Sequence, residues 1–279
     1  MAHYSEIVLE PGAPPLACLN KIEAKYLYDN DIPNYFRHGV TLRPGDTILD
    51  VGANVGLFAA QALRRCKGDA QIFCFEPIPA TFDVLRRNAA AIGDETMRVF
   101  SVGVASRAET LRFANFPRLA CWSSAYVDHS NLGLARSRLK QCLSGDVDAG
   151  LLFRWLRPVP RTLRSLILDV VTWWLTKIEY FDCEVRTISQ ILREQGVERV
   201  DLLKVDVEGA ELDVLLGVED ADWPKIKQVV VEVEEFHERS RRIADLLAER
   251  GFGKIATEQL GEAQKANDMG MLWARAADA

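Results

Sequence analysis

The sequence predicts an α/β fold: a mostly parallel sheet with helices on both faces. Two observations carry this. From residue 47 onward, short apolar runs alternate with helix-patterned segments, which is how a parallel sheet covered by crossover helices reads in sequence. The first run ends in a glycine-bearing loop, Asp50-Val51-Gly52-Ala53-Asn54-Val55-Gly56. In such folds a loop of this kind, between a strand and the following helix, faces a ligand.

The elements follow in order. Residues 47–51 are the first strand, and residues 57–65, with small and apolar positions, are its helix. Residues 71–76 form the second strand; after Pro77-Ile78-Pro79 a helix runs through Asn88. Residues 98–104 read as a third strand, and 111–113 can add a short one. Between about Pro117 and Tyr180 the alternation fails. Trp122-Ser123-Ser124, a polar run, an aromatic-rich stretch over 151–156 and Pro158 and Pro160 predict a mostly helical lid insertion over about 117–180. Regular order returns with a helix over 188–195, a strand over 200–206, a helix over 210–216, a strand over 228–233 and a helix over 240–250 stopped by Gly251. Residues 254–257 and 269–275 can close the fold as a hairpin. The first forty residues read as an N-terminal cap with a helix over 22–28, preceding a main domain over 41–279.

Composition narrows the function. A chain of 279 residues with 48% hydrophobic and 27% charged residues can bury a full core. A net charge of −6 argues against a nucleic-acid partner, which needs a basic face. The six cysteines include no C-x-x-C pair and no Cys/His cluster with zinc spacing, so no metal site is read from them. Met1-Ala2-His3-Tyr4-Ser5-Glu6 has neither the basic start nor the apolar run of a signal peptide, and a reducing cytoplasm is the expected location. Residues 163–175 are apolar, with Trp173-Trp174, but Arg164 and Asp169 interrupt them. The stretch is also shorter than the roughly 18–20 residues a membrane span needs, so a lid helix or packed insert is expected.

The loop carries the first chemical signal. Glycines at 52 and 56 let backbone approach a ligand closely, and a strand-end carboxylate at Asp50 can accept hydrogen bonds from an amino group. The spacing is not that of a dinucleotide-binding loop, and it lacks the Lys-Ser/Thr of a phosphate-binding loop, so a ligand without phosphates is preferred. Candidate contacts are Asp50, Gly52, Ala53, Asn54 and Gly56, although a glycine loop also serves as a plain tight turn. Glu76, ending the second strand before Pro77 and Ile78, can accept from both hydroxyls of a ribose; a solvated strand-end charge is the plainer alternative. Val102 and Gly103 end the third strand and can wall an adenine with apolar atoms, as any buried strand end can.

Segment 50–56, Phe75-Glu76-Pro77-Ile78-Pro79 with Leu85 and Asn88, and Asp201-Leu202-Leu203-Lys204-Val205-Asp206-Val207-Glu208-Gly209-Ala210-Glu211 together resemble the FkbM-type methyltransferase family. The resemblance spans about residues 47–233, insertion aside. It implies a class I methyltransferase fold: Rossmann-like, seven-stranded, with the last strand antiparallel. It also implies S-adenosylmethionine as methyl donor, S-adenosylhomocysteine as product, and O-methylation of hydroxyls. Residues 18–28 resemble the cap of members tied to polyketide and peptide-synthase assembly lines. That narrower likeness implies a β-hydroxyacyl chain on an acyl carrier protein as acceptor. The alternatives are a freestanding sugar or small-molecule O-methyltransferase, or a non-catalytic binding module for the same cofactor.

The chemistry then asks for a base. A sulfonium methyl is already activated, and positioning supplies much of the barrier reduction. An alcohol must lose its proton, so a general base within hydrogen-bond reach is expected. Candidates are Asp206 and Glu208 at the end of the 200–206 strand, Glu232, Glu234 and Glu235 at the end of the 228–233 strand, and His237 just beyond; the strand-end position of Asp206 also brings it to the cofactor's methionine portion or the acceptor. The resemblance implies a histidine near position 234, where this chain has Glu234, with His237 three residues on. Clustered carboxylates raise one another's pKa or hold a divalent cation; metal-independent transfer is the favoured expectation. Glu211 suits the first turn of a helix. Tyr26, Tyr28 and Trp122 can shape an acceptor pocket or simply pack, and His38 beside Gly39 can be structural.

Overall fold

The computed structural model describes residues 4–93, 95–116, 161–261 and 268–277. Trp122 and the aromatic run over 151–156 lie outside them. Contacts divide the chain into two compact units, Met1–Leu111 with Asp182–Ala279, and Arg112–Phe181.

The first unit begins with an antiparallel pair, β1 (Ser5–Ile7) and β2 (Leu16–Cys18). Helix α1 (Lys21–Tyr26) follows, capped by the Asn20 side chain on the Ile22 and Glu23 amides. The helix expected to reach residue 28 instead widens into a π-type turn over Leu27–Asp31 and tightens into a 3₁₀ turn over Ile32–Phe36, with Pro33 near its start. Proline lacks an N–H and cannot continue the ladder. The main elements are β3 (Asp46–Val51), α2 (Leu57–Arg65), β4 (Ala70–Phe75), α3 (Pro79–Ile92) and β5 (Met97–Phe100). The short strand β6 (Gly103–Val104) and β7 (Glu109–Asn115) come next. In the second unit α4 is Arg161–Leu175. Beyond it in the chain lie β8 (Glu179–Arg186), α5 (Ile188–Gln195), β9 (Leu202–Val205) and α6 (Glu211–Leu216). The chain ends with β10 (Gln228–Val233), α7 (Phe236–Glu249), β11 (Phe252–Glu258) and β12 (Gly270–Ala276). No helix among the described residues is long and apolar enough to cross a membrane.

The large sheet has seven strands in the order β11-β12-β10-β9-β3-β4-β5. β5, β4, β3, β9 and β10 run parallel, and β12 is antiparallel to β10 and β11. Alternation along each strand divides the core into two layers. Ile48, Ile72, Cys74, Leu202 and Val230 point to one face with α2, α3 and the apolar residues of the first forty, including Leu16, Tyr28 and Tyr35. Leu49, Phe73, Phe75, Leu203, Val205 and Val231 point to the other, with α5, α6 and α7. Strands buried on both faces are apolar throughout, which makes them legible as runs. The chain winds outward from β3 through β4 to β5, then returns to β9 on the other side. The crevice at the carboxyl ends of β3 and β9 is therefore the topological switch point, where open α/β sheets bind ligands.

Two expectations are corrected by the structure. Residues 98–104 are not one strand. After Phe100, whose carbonyl accepts the Glu76 amide at 3.1 Å, the chain leaves the large sheet, and Gly103 and Val104 pair in parallel with Val185 and Arg186 of β8. β8 itself begins where the sequence predicts the tail of the insertion. Its charged and apolar residues alternate at period two, with Cys183 and Val185 buried and Glu179 and Glu184 exposed, and a strand with one face exposed has no continuous apolar run.

Candidate active site

The loop after β3 is built by close backbone approach. Gly52 has φ 73°, and a Cβ there would stand 1.7 Å from the Asp206 carbonyl oxygen. The Gly52 and Ala53 amides donate to the Phe75 carbonyl at 3.1 and 3.0 Å, tying the loop to the end of β4. Asn54 sits at φ 49°, and its amide donates to Glu76 Oε2 at 3.1 Å, while the Ile78 amide donates to Glu76 Oε1 at 2.9 Å. Glu76 is buried, and burial pushes its carboxyl up to about 7 although the two amide bonds pull it down. Each carboxylate oxygen keeps a second lone pair for a ligand hydroxyl. Gly56, at φ 86°, starts α2, and a Cβ would strike Met97 and Leu85. The Pro77 carbonyl accepts the Cys183 thiol at 3.2 Å, Ile78 is buried and precedes α3, and Val102 and Gly103 lie at the departure of the chain from β5 to β6.

Beside the loop stands a charge cluster centred on Lys204, inside the apolar strand β9. Its Nζ donates to the Gly52 carbonyl at 2.8 Å and pairs with Asp50 Oδ1 at 3.0 Å and Asp206 Oδ2 at 3.3 Å. Burial opposes its charge, but the two aspartates hold its pKa above the ordinary lysine value. Asp50 is fully buried, and burial raises its pKa against the pull of Lys204. Neither of its oxygens accepts a well-directed hydrogen bond. Tyr35, buried in the 3₁₀ turn, places its Oη 2.9 Å from Asp206 Oδ2 and 2.6 Å from Glu232 Oε2. Burial and the charge of Asp206 push Glu232 up to about 8 and Asp31 up to about 6. Burial and the neighbouring Glu234 raise Glu208 well above the usual carboxylate range, and Glu208 and Glu234 share a hydrogen bond. Among the described residues, no group of three or more His, Cys, Asp or Glu is arranged to hold a metal ion.

The structure brings Asp50, Gly52, Asp206 and Glu232 together, with Glu76 held against the same loop through Asn54 and Glu234 adjoining through Glu208. It sets other candidates apart. His237 is 78% exposed and pairs with Asp268 at 3.5 Å. Tyr28 is buried with its hydroxyl donating to Glu10 at 2.9 Å. Tyr26 is exposed, His38 bonds Glu258 and packs on Trp273, and Glu211 accepts from Arg239 and from the Gly209 amide. Arg239 also holds Glu235. Three members of the site are not among the sequence-based candidates: Lys204, Tyr35 and Asp31. A lysine between Leu203 and Val205 is a visible signal, since a charge inside a buried strand needs a partner; Tyr35 and Asp31 give none.

The residues present fit an aminoacyl-nucleoside cofactor. Asp50 offers buried acceptor atoms for an ammonium group, Gly52 and Gly56 keep the loop close to the sheet, and Glu76 retains lone pairs for ribose hydroxyls. With one antiparallel strand in a seven-stranded sheet and this site at the switch point, the protein is a class I methyltransferase. The chain belongs to the FkbM methyltransferase family, whose domain model matches residues 50–253. It is 33% identical over 262 residues to the 31-O-demethyl-FK506 methyltransferase FkbM of Streptomyces tacrolimicus, covering 92% of this chain and 93% of that protein. It is 33% identical to methyltransferase sdnD of Sordaria araneosa, over 84% of each chain. The antimetabolite synthetase AmbE of Pseudomonas aeruginosa shares 31% identity over 87% of this chain but only 11% of its own length.

Proposed function

We propose that the chain is an S-adenosylmethionine-dependent O-methyltransferase acting on a hydroxyl of a polyketide-type intermediate, a β-hydroxyacyl chain on an acyl carrier protein. The observation that carries the O-methylation reading is Glu232, joined to Asp206 through Tyr35 and lying beside the cofactor loop. A general base works best when its pKa lies near the working pH, and a carboxyl raised to about 8 meets that requirement where an ordinary glutamate would not. In this reading Asp50 and Glu76 hold the cofactor's amino acid and ribose, with Gly52, Ala53, Asn54, Gly56, Pro77, Ile78, Val102 and Gly103 shaping its bed. When bound, S-adenosylmethionine supplies a sulfonium methyl carbon for in-line attack. Glu232, in its ionised form, accepts the acceptor hydroxyl's proton, and Lys204 pairs with Asp206 beside it. Glu234, in contact with Glu208, adjoins the base and is not itself the proton acceptor.

The carrier-bound acceptor draws support from AmbE, in which a segment like this chain forms part of a larger synthetase. A second reading, a free small-molecule hydroxyl, draws support from the near full-length match to an enzyme named for a 31-O-demethyl substrate. Methyl transfer assayed with carrier-bound β-hydroxyacyl chains and with free hydroxylated small molecules separates them. Product only from free acceptors sinks the carrier-bound version. Failure to bind S-adenosylmethionine by calorimetry sinks both.

A further inference from the structure

We propose that Tyr35 is a positioning residue that makes Asp206 and Glu232 a single proton-sharing unit, so that the N-terminal segment sets the pH at which Glu232 is free to act as the base. This rests on the O-methylation reading for its catalytic meaning, but the proton sharing itself stands on geometry. The Tyr35 ring is fixed: it is buried and meets Phe58 edge-on at 5.4 Å, with Lys204 Nζ 5.6 Å from its centroid. Its backbone is held as well, because the Asn34 carbonyl accepts the Trp273 indole N–H at 3.0 Å. The hydroxyl therefore cannot choose its neighbours, and those neighbours are two carboxyl groups, at 2.9 and 2.6 Å.

A phenol has one proton and a carboxylate has none to give. If both carboxyls were ionised, one contact would set an oxygen lone pair against another at hydrogen-bond distance. Both contacts are hydrogen bonds only when one carboxyl carries a proton. Lys204 pairs with Asp206 at 3.3 Å, which leaves Glu232 as the place for the proton. Glu232 O–H then donates to Tyr35, and Tyr35 O–H donates to Asp206. The other charges facing the pair are Asp31 from the N-terminal segment, Asp50 from β3, and Glu208 and Glu234 near the ends of β9 and β10. All are carboxyls, and they also favour retention of the proton.

Ionised Glu232 would gain a bond from Tyr35, but only by taking it from Asp206. The one-proton state has two bonds through the phenol and the ionised state one, so Tyr35 favours the proton-sharing state. Tyr35→Phe keeps the ring and removes the hydroxyl. The infrared carbonyl band of the protonated carboxyl, assigned by its loss in Glu232→Gln, reports the titration without any turnover. In Tyr35→Phe its midpoint should fall by roughly 0.5–1 on the pH scale, one hydrogen bond's worth. The midpoint of kcat against pH should fall with it, while affinity for S-adenosylmethionine stays within about threefold of the parent. A carboxyl band whose midpoint does not move, accompanied only by lower thermal stability, overturns the proposal and leaves Tyr35 a packing residue. A shifted band with no methyl transfer to any hydroxyl leaves the proton-sharing unit standing and removes the O-methylation reading.

Discussion

A lysine in the middle of a central parallel strand has to be matched by charge, and Lys204 is matched by Asp50 and Asp206 together. Removing one member of a buried ion pair leaves the other charge unpaired, at a cost of about 3–5 kcal/mol. Lys204→Met should therefore lower unfolding free energy by that amount in chemical denaturation. Adding Asp50→Asn should recover part of the loss, because the stranded charge is gone; a double variant less stable than Lys204→Met alone refutes this pairing. The same scale separates Glu232 from His237. Glu232 sits within the charge cluster, so Glu232→Gln should reduce kcat by about 10²–10⁴-fold, the usual worth of a general base. His237 is largely exposed with Asp268 as its partner, so His237→Ala should leave kcat within about threefold. Steady-state kinetics on both variants checks the contrast, and equal losses would return His237 to the reaction.

Among the elements, the junction after β3 makes the sharpest demand on sequence. A Cβ at Gly52 would overlap the Asp206 carbonyl, which belongs to the neighbouring strand's end and cannot rotate away. Gly68, at φ 84°, has nothing within 4 Å and meets only the intrinsic cost of a left-handed residue. That cost is about 1 kcal/mol, so Gly68→Ala should lose about that much stability and Gly52→Ala at least twice it, with cofactor affinity falling only in the latter. Comparable losses would mean that β3 and β9 do not approach so closely in solution. The same junction explains what is legible in sequence. Strands β3, β4, β9 and β10 are buried on both faces and read as apolar runs, and α2, α5 and β10 lie within the bounds expected of them. Loop glycines and strand-end acids are local features, so Asp50, Glu76 and Asp206 can be named from the sequence alone. β8 escapes because a strand with one face exposed shows only alternation. Tyr35 and Asp31 escape because their meaning depends on partners some 170 to 200 positions away, which no local pattern records.

At the scale of the whole molecule, several buried or half-buried carboxyls have a raised pKa. Burial holds Asp31 at about 6, Glu76 at about 7 and Glu232 at about 8, and it raises Asp46, Glu208 and Glu211 as well. In the unfolded chain these groups titrate near 4. The folded protein therefore binds more protons than the unfolded chain between those limits, and stability must decline as pH rises. The contribution is complete below about pH 4 and is lost progressively through pH 6, 7 and 8. Exposed Glu258, pulled down by His38 and then Arg37, acts in the opposite sense and weakly. Raising one pKa by 1 is worth about 1.4 kcal/mol, so even partial expression of these increases gives a decline on the order of 3–5 kcal/mol from about pH 5 to 8.5. The ligand-free chain should thus melt at a lower temperature at pH 8.5 than at pH 5.5, the reverse of a protein stabilised by exposed ion pairs. Glu232→Gln and Glu76→Gln should each flatten the slope, since an amide binds no proton in either state. A melting temperature that rises across this interval, or a slope indifferent to both substitutions, would mean that these carboxyls are ionised in the fold and that Glu232 has no raised pKa to serve as a base.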